Sequence, residues 1–420
     1  MHGDPGAGGL SRRSMLARIG GATAALGGIG TATRSGVADE TGGQFHNPTG
    51  PPGFGDVSVI EWSGTYYVYG TGRAFARSDD LVTWEPQGKA VDWDPDWHGD
   101  PEAGFWAPDV NRFDDRVYLY YSHSTWGSQD NPGIGVATAD HPEGPFTDHG
   151  PVFRNEDLSQ TNCIDSELVV LDGTPYLIWG SFFGIWGVEL TPDGMDYVPG
   201  TAWQLAGDNR EGAMLVREND YFYLFCSTGH CCDGVESTYE IEVGRSESLF
   251  GPYRTRDGRD LRTIHDHHAG QAVLSPTEEF VGTGHNTAIR DAAGDWWMLY
   301  HIEALGDDPG RRLMVDRIRF DDADWPVVGC DGQPCREHPR PTVDSAPTGP
   351  DPIDGTVPRD LDGDGRYEDL SGDETLNFPD VNRLFQNIES ASVQDHADAY
   401  DFSGDGTVDA QDVLALFESV

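Results

Sequence analysis

Three carboxylates stand where successive extended hairpins begin: Asp56 ahead of the first, Asp165 ahead of the third and Glu211 at the opening of the fourth. If the hairpins are blades around an axis, the strand nearest the axis begins each blade, so acids at these positions meet in one central pocket. Carboxyls gathered there can work on a glycosidic bond, one protonating the leaving oxygen while another activates water. Taken singly, each reads as a solvated surface acid, since the chain holds 72 Asp and Glu.

A second set lies near the carboxy terminus. Asp369, Ser371, Asp373, Asn377 and Asp380 occupy positions 1, 3, 5, 9 and 12 of a loop. Asp401, Ser403, Asp405, Asp409 and Asp412 repeat the pattern. Oxygen side chains at these offsets converge on one hard cation, and Gly406 supplies the sharp turn that such a loop needs. The first copy has Glu374 at that place. The duplication is too regular for a disordered acidic tail. Asp360, Asp362 and Asp364 form a half-pattern just upstream.

The elements that must position the first set are short aromatic and β-branched runs at 65–69, 117–121, 174–179, 221–225 and 296–300. Each follows a polar or Gly-containing turn, and apolar stretches such as 57–60 and 168–171 precede them, so they read as hairpins. Five of them at intervals of about 45 to 75 residues predict an all-β fold, a five-bladed β-propeller over 45–335, with a sandwich as second choice. No long amphipathic helix interrupts the region. Residues 341–358 (PTVDSAPTGPDPIDGTVP) read as a Pro-rich linker, and 359–420 as a small module whose loops run into helical stretches at 381–388 and 413–417.

Composition narrows the partners. Lys+Arg number 27 against 72 acids, a net charge of -45, with Lys89 the only lysine. Nucleic acid would meet a repulsive surface and is excluded as a partner. From Pro341 onward there are 19 acids and 3 arginines, so the main domain is acidic as well, which suits a protein working in concentrated salt. The string Ser11-Arg12-Arg13-Ser14-Met15-Leu16, a Gly/Ala-rich stretch and a small-residue site ending at Ala38 read as a twin-arginine export signal over 1–38. No apolar run is long enough to predict a membrane span. Of six cysteines, Cys330 and Cys335 flank a Gly/Pro turn and predict a disulfide. Adjacent Cys231 and Cys232 are poorly placed for one and read equally as buried thiols.

Several local strings carry a resemblance. WAPDV (106–110), STWGS (124–128), NCIDSEL (162–168), GSFFGIW (180–186), REGAMLV (210–216), CCDGVESTYEIEVGRS (231–246), GPY (251–253) and GTGHN (282–286) follow in order across 45–330. The chain resembles the arabinanases of glycoside hydrolase family 43. That resemblance implies a five-bladed propeller and an inverting enzyme cutting α-1,5-linked arabinan, with Asp56 as general base and Glu211 as general acid. Asp165 would be the carboxylate that orients the acid and keeps it protonated.

It also implies that His285 reaches a central calcium with a mostly solvent shell. Gly127, Asn162, Cys163, Ile164, Ser181, Phe182 and Phe183 would line sugar subsites. Trp106 reads as a stacking platform or, equally, as blade core. The family's first motif is usually His-Asp-Pro, where this chain has Gly55-Asp56-Val57. The tail resembles a dockerin, with Asp in place of the usual Glu at position 12, implying two calcium ions and a cohesin-like partner. A secreted, monomeric endo-acting enzyme is the leading expectation. An exo-acting arabinofuranosidase or xylosidase and a non-catalytic glycan-binding propeller are the alternatives.

Overall fold

The computed structural model describes residues 43–420 except 114–115, 305–309, 344–349, 351–352, 354–355, 362–364, 374 and 395. The expected export signal lies outside these residues, as do Asp362, Asp364 and Glu374.

Twenty strands form five four-stranded antiparallel sheets, each built from consecutive strands. Blade 1 holds Ser58–Trp62, Thr65–Gly70, Ala74–Ser78 and Glu85–Lys89. Blade 2 holds Gly104–Phe113, Arg116–Ser124, Gly133–Ala139 and Thr147–Arg154. Blade 3 holds Glu167–Leu171, Thr174–Trp179, Ile185–Glu189 and Trp203–Ala206. Glu211–Glu218, Tyr221–Thr228, Glu240–Ser246 and Ala272–Leu274 make blade 4. Val281–Arg290, Trp296–Ala304, Gly310–Phe320 and Pro326–Val328 make blade 5. First strands of successive blades touch all the way round, the fifth meeting the first. The five-bladed propeller expected from the hairpin repeat is the fold.

The aromatic runs are the second strands, and their near-continuous apolarity follows from burial on both faces. In blade 4, Tyr223 and Phe225 enter the core shared with blade 5, while Phe222, Leu224 and Cys226 enter the core shared with blade 3. In blade 1, Tyr66 and Val68 face blade 5, whereas Tyr67 and Tyr69 face blade 2. Period-two alternation thus distributes one strand between two cores.

The ring is sealed by a feature that the hairpin pattern does not announce. Gln44–His46 pairs antiparallel with Glu337–Pro339. Phe45 stacks on His338, and buried Asn47 exchanges two hydrogen bonds with the backbone of Val315 in blade 5. From there the chain runs along the third strand of blade 5, with Thr49 and Gly53 donating to the carbonyls of Leu313 and Arg311. The Cys330–Cys335 disulfide is present.

The tail forms helices Phe378–Asn387, Ala391–Gln394, Ala397–Tyr400 and Ala410–Glu418 around Leu370, Val381, Leu384, Val393, Tyr400 and Leu416. Ile353, read from sequence as linker, is buried in this same core. Among the described residues no helix is long and apolar enough to cross a membrane.

Candidate active site

Each blade opens with one residue in the left-handed backbone region: Asp56 (φ 52°), Ala107 (36°), Asp165 (60°), Gly212 (54°) and His285 (49°). For a residue with a Cβ this costs of order ~1 kcal/mol, so the surroundings must enforce it. They do so by one repeated device, in which the kinked residue's N–H donates to a side chain of the preceding blade. Ala107 donates to Thr71 Oγ1 (3.0 Å), Asp165 to Ser122 Oγ (2.9 Å), His285 to Ser227 Oγ (2.7 Å) and Asp56 to His301 Nδ1 (3.2 Å). Gly212 donates to Asp165 Oδ2 at 3.3 Å. In blades 2, 4 and 5 the ladder register shifts at this place. The kink re-aims the side chain, as bulges at barrel rims do.

Asp56, Asp165, Glu211 and His285 are thereby brought together. His285 Nδ1 lies 3.3 Å from Asp56 Oδ1. Burial opposes ionisation of Asp56, but Arg311, His285 and His301 outweigh it and hold the carboxyl well below the usual range. Arg311 Nη1 pairs with Asp56 Oδ2, which also accepts from Thr71 Oγ1 (2.6 Å).

Asp165 behaves oppositely. Burial, reinforced by the charges of Glu211 and Asp56 against the pull of His285, pushes it up to about 7. Burial would lower His285, yet Asp56, Asp165 and Glu211 push it up to about 9. Glu211 accepts from Ser181 Oγ (2.8 Å) and from the hydroxyl of Tyr239 (2.7 Å). Directly before it, fully buried Arg210 pairs with Glu242 at 2.7 Å and fixes the strand start. Carboxyls driven apart in this way within one cluster are an acid–base arrangement.

The other residues singled out from sequence divide. Trp106 is half-buried, donates to the Ser124 carbonyl at 2.8 Å and lies 5.9 Å from the ring of Trp126, which is 57% exposed. It stands in none of the inter-blade cores and forms an open aromatic pair with Trp126. Gly127 is exposed beside it. Asn162 donates to the Ser181 carbonyl at 3.1 Å, tying the two loops, and half-buried Ile164 follows. Phe182 is half-buried and Phe183 is 46% exposed.

Cys163 requires correction as a sugar contact. Its thiol is fully buried in the core between blades 2 and 3, where burial pushes it up to about 12. Left-handed backbone at Asn162 and Asp165 bends the segment, and the Cys163 N–H is held by Asn155 Oδ1 at 2.8 Å, so this side chain goes into the core. Cys231 and Cys232 are not buried thiols either: Cys231 is half-buried and Cys232 exposed, with the sulfurs 2.6 Å apart. Sequence reasoning missed Arg311, His301, Tyr239, Thr71 and Trp126. Tyr239 and Trp126 sit inside strings already noted. His301 and Arg311 lie on the second and third strands of blade 5, respectively, where nothing local distinguishes them.

Below this cluster the first strands of blades 2 and 3 carry another acidic pair. Asp109 is 3% exposed and accepts from Leu168 N–H at 2.7 Å. Burial pushes it up to about 7, and its charge helps to raise Glu167 after burial. The ordinary value for Asp is 3.8, so the folded chain holds an extra proton between these limits and loses stability as pH rises through them. Asp109→Asn is expected to abolish a stability loss of about 4 kcal/mol across that window. The propeller transition of the variant, followed by calorimetry from about pH 4.5 to 7.5, should therefore fall less than that of the wild type. Parallel curves would contradict it.

In the tail, ligand oxygens of Asp369, Asp373 and Asp380 lie within 4.8 Å of one another, and Asp369 and Asp380 are fully buried. Asn377 turns its amide nitrogen to Asp373 and leaves Oδ1 buried without a partner. A hard cation fits this oxygen set. The second loop repeats the frame: Ser403 N–H donates to Asp412 (2.9 Å) as Ser371 N–H does to Asp380 (2.7 Å). Asp409, like Asn377, precedes its helix and binds the acid three residues on through its backbone N–H. Ser403 and Asp405 contact Asp401 as Ser371 and Asp373 contact Asp369.

Carboxyls converging where the first strands of a five-bladed propeller begin are the arrangement that glycosidase chemistry needs. Residues 45–326 match the family described as Glycosyl hydrolases family 43, and the chain belongs to that family. Among its relatives, the extracellular endo-α-(1→5)-L-arabinanase 1 of Bacillus subtilis is 35% identical over 291 residues, covering 64% of this chain and 86% of its own. The extracellular exo-α-(1→5)-L-arabinofuranosidase ArbA of Cellvibrio japonicus is 29% identical over 294 residues, covering 63% and 83%. The structure of Cellvibrio cellulosa α-L-arabinanase complexed with arabinohexaose superposes with a TM-score of 0.60 at 27% identity, over 66% of this chain and 96% of that one.

Proposed function

We propose that the chain is a secreted endo-acting arabinanase that hydrolyses α-1,5-linked L-arabinofuranosyl bonds with inversion. The observation carrying the hydrolytic chemistry is the meeting of Asp56, Asp165 and Glu211 in one cluster at His285, with Asp56 held ionised and Asp165 held up. Asp56 is the general base that takes a proton from water. Glu211 is the general acid that gives one to the leaving oxygen, oriented by Ser181 and Tyr239. Asp165 sets the charge and, through Gly212 N–H, the seat of the acid. Trp106 and Trp126 offer stacking faces for furanose rings. The relatives named for arabinan support the substrate, and their extracellular naming supports secretion, for which the Ser11-Arg12-Arg13 string is read as the signal.

Three carboxyls, Asp56, Asp165 and Glu211, gather around His285, and a calcium ion held through His285 with solvent completing its shell suits that oxygen-rich cluster. When bound, that ion supplies a fixed positive charge among the carboxylates. The tail is read as a dockerin-like calcium module. Phe378, Phe385, Leu414 and Phe417, all more than half exposed on its two longer helices, suit a cohesin-like partner.

Debranched linear arabinan tests the reading. Early products should be mixed oligosaccharides with inverted anomeric configuration by NMR. Arabinose alone from the outset would make the enzyme exo-acting, and binding without cleavage would make it a glycan-binding propeller.

A further inference from the structure

Gly55 stands immediately before Asp56 and is buried, and its backbone does not lie in the left-handed region. Its lack of a side chain is therefore a matter of space. A Cβ built there would overlap Cδ and Nη1 of Arg311 and lie 3.0 Å from Nε. Arg311 comes from the third strand of blade 5 and has a side chain 19% exposed. It fills the volume that a residue-55 side chain would take. Its guanidinium is forked: Nη1 bonds Asp56 Oδ2, and Nη2 donates to Cys232 Sγ at 3.0 Å. Glu303, its cross-strand neighbour, lies 4.0 Å from Nε. The backbone nearby is tied as well, since Gly53 N–H donates to the Arg311 carbonyl at 2.9 Å.

Two donors, Arg311 and Thr71, thus hold Oδ2 from different blades. With that oxygen pinned, the carboxylate plane cannot rotate, and Oδ1 stays directed at His285. Thr71 alone would leave rotation about the Cβ–Cγ bond open on the other side. A planar fork anchored at both tips and packed against a bare Cα removes it.

We propose that Arg311 is the positioning residue of Asp56, and that Gly55 is glycine to make room for it. The inference rests on the reading of Asp56 as the base. Arg311→Ala should lower kcat on linear arabinan by about 10–100-fold with KM altered less than about threefold, the signature of a misaimed group rather than lost binding. Gly55→Ala should do the same by displacing the guanidinium. The double variant should be no worse than either single one, because each change destroys the same contact. Guanidinium ion added to Arg311→Ala should restore kcat in part and leave the wild type unaffected.

Unchanged kcat in Arg311→Ala, a double variant that multiplies the two losses, or a rise in KM at constant kcat would each overturn the proposal. If the wild type is inert on arabinan, the substrate reading fails instead. The same four-protein cycle followed by thermal unfolding then decides whether Gly55 and Arg311 share one volume, and additive losses there reject the pairing.

Discussion

Glu211→Gln is expected to lower turnover of linear arabinan by about 10³-fold while leaving the fold intact, and Asp56→Asn to do likewise. The side chain of Glu211 sits between the hydroxyls of Ser181 and Tyr239 at 2.8 and 2.7 Å. An amide of the same shape can accept from one hydroxyl and donate to the other, so packing is kept while the transferable proton is lost. At Asp56 the amide still meets Arg311 and Thr71, but it cannot take a proton from water. Both effects should fall on kcat, with thermal transitions within a few degrees of the wild type. Residual turnover above about a tenth of wild type in either variant removes that carboxyl from the proposed chemistry. Because Asp56 and Glu211 act in one step, the double variant should be little worse than the single ones.

Chelation of calcium with EGTA is expected to unfold the carboxy-terminal module and leave the propeller folded. The module's core consists of few side chains, chiefly Leu370, Val381, Leu384, Val393, Tyr400 and Leu416. A core of that size is marginal without a staple. Against it stand Asp369, Asp380 and Asp412, each fully buried, with Asp369 and Asp380 sharing a 4.8 Å cluster with Asp373. Like charges about 4 Å apart repel by up to about 4 kcal/mol at an effective dielectric of 20. A divalent cation turns that repulsion into attraction, so its removal acts on both sides of the balance. Full-chain calorimetry should show a low-temperature transition that calcium moves upward by tens of degrees, and a second transition that it hardly moves. A calcium-insensitive thermogram, with no heat of binding on titration, would reject the loops as metal sites.

The propeller was legible because both faces of each second strand are buried, and that leaves an unmistakable apolar run in the sequence. The three acids were legible for a related reason, since they mark where runs begin. The left-handed kinks were not, because Asp56, Ala107, Asp165 and His285 are held there by His, Thr and Ser side chains from the neighbouring blade. Such partners are distant in sequence and common in composition. Arg311 shows the same limit: its role depends on an empty position some 250 residues earlier, a relation between places rather than a property of either. Cys163 failed as a sugar contact because a motif tells which loop is near the groove, while the bends of the backbone within that loop, at Asn162 and Asp165, decide which side chains enter it.

The short pairing of Gln44–His46 with Glu337–Pro339 has a further consequence. Its two edges are separated by almost the whole propeller sequence, so the annulus stays open until the last segment has arrived. Native contacts of such long range carry a large loop-closure penalty and slow assembly. During that interval blades 1 and 5 expose Phe45, Val57, Leu299 and Leu313 to solvent and to other chains. The abundant negative charge of the sequence then acts as a kinetic safeguard, keeping half-closed rings from sticking to one another before the seam is made.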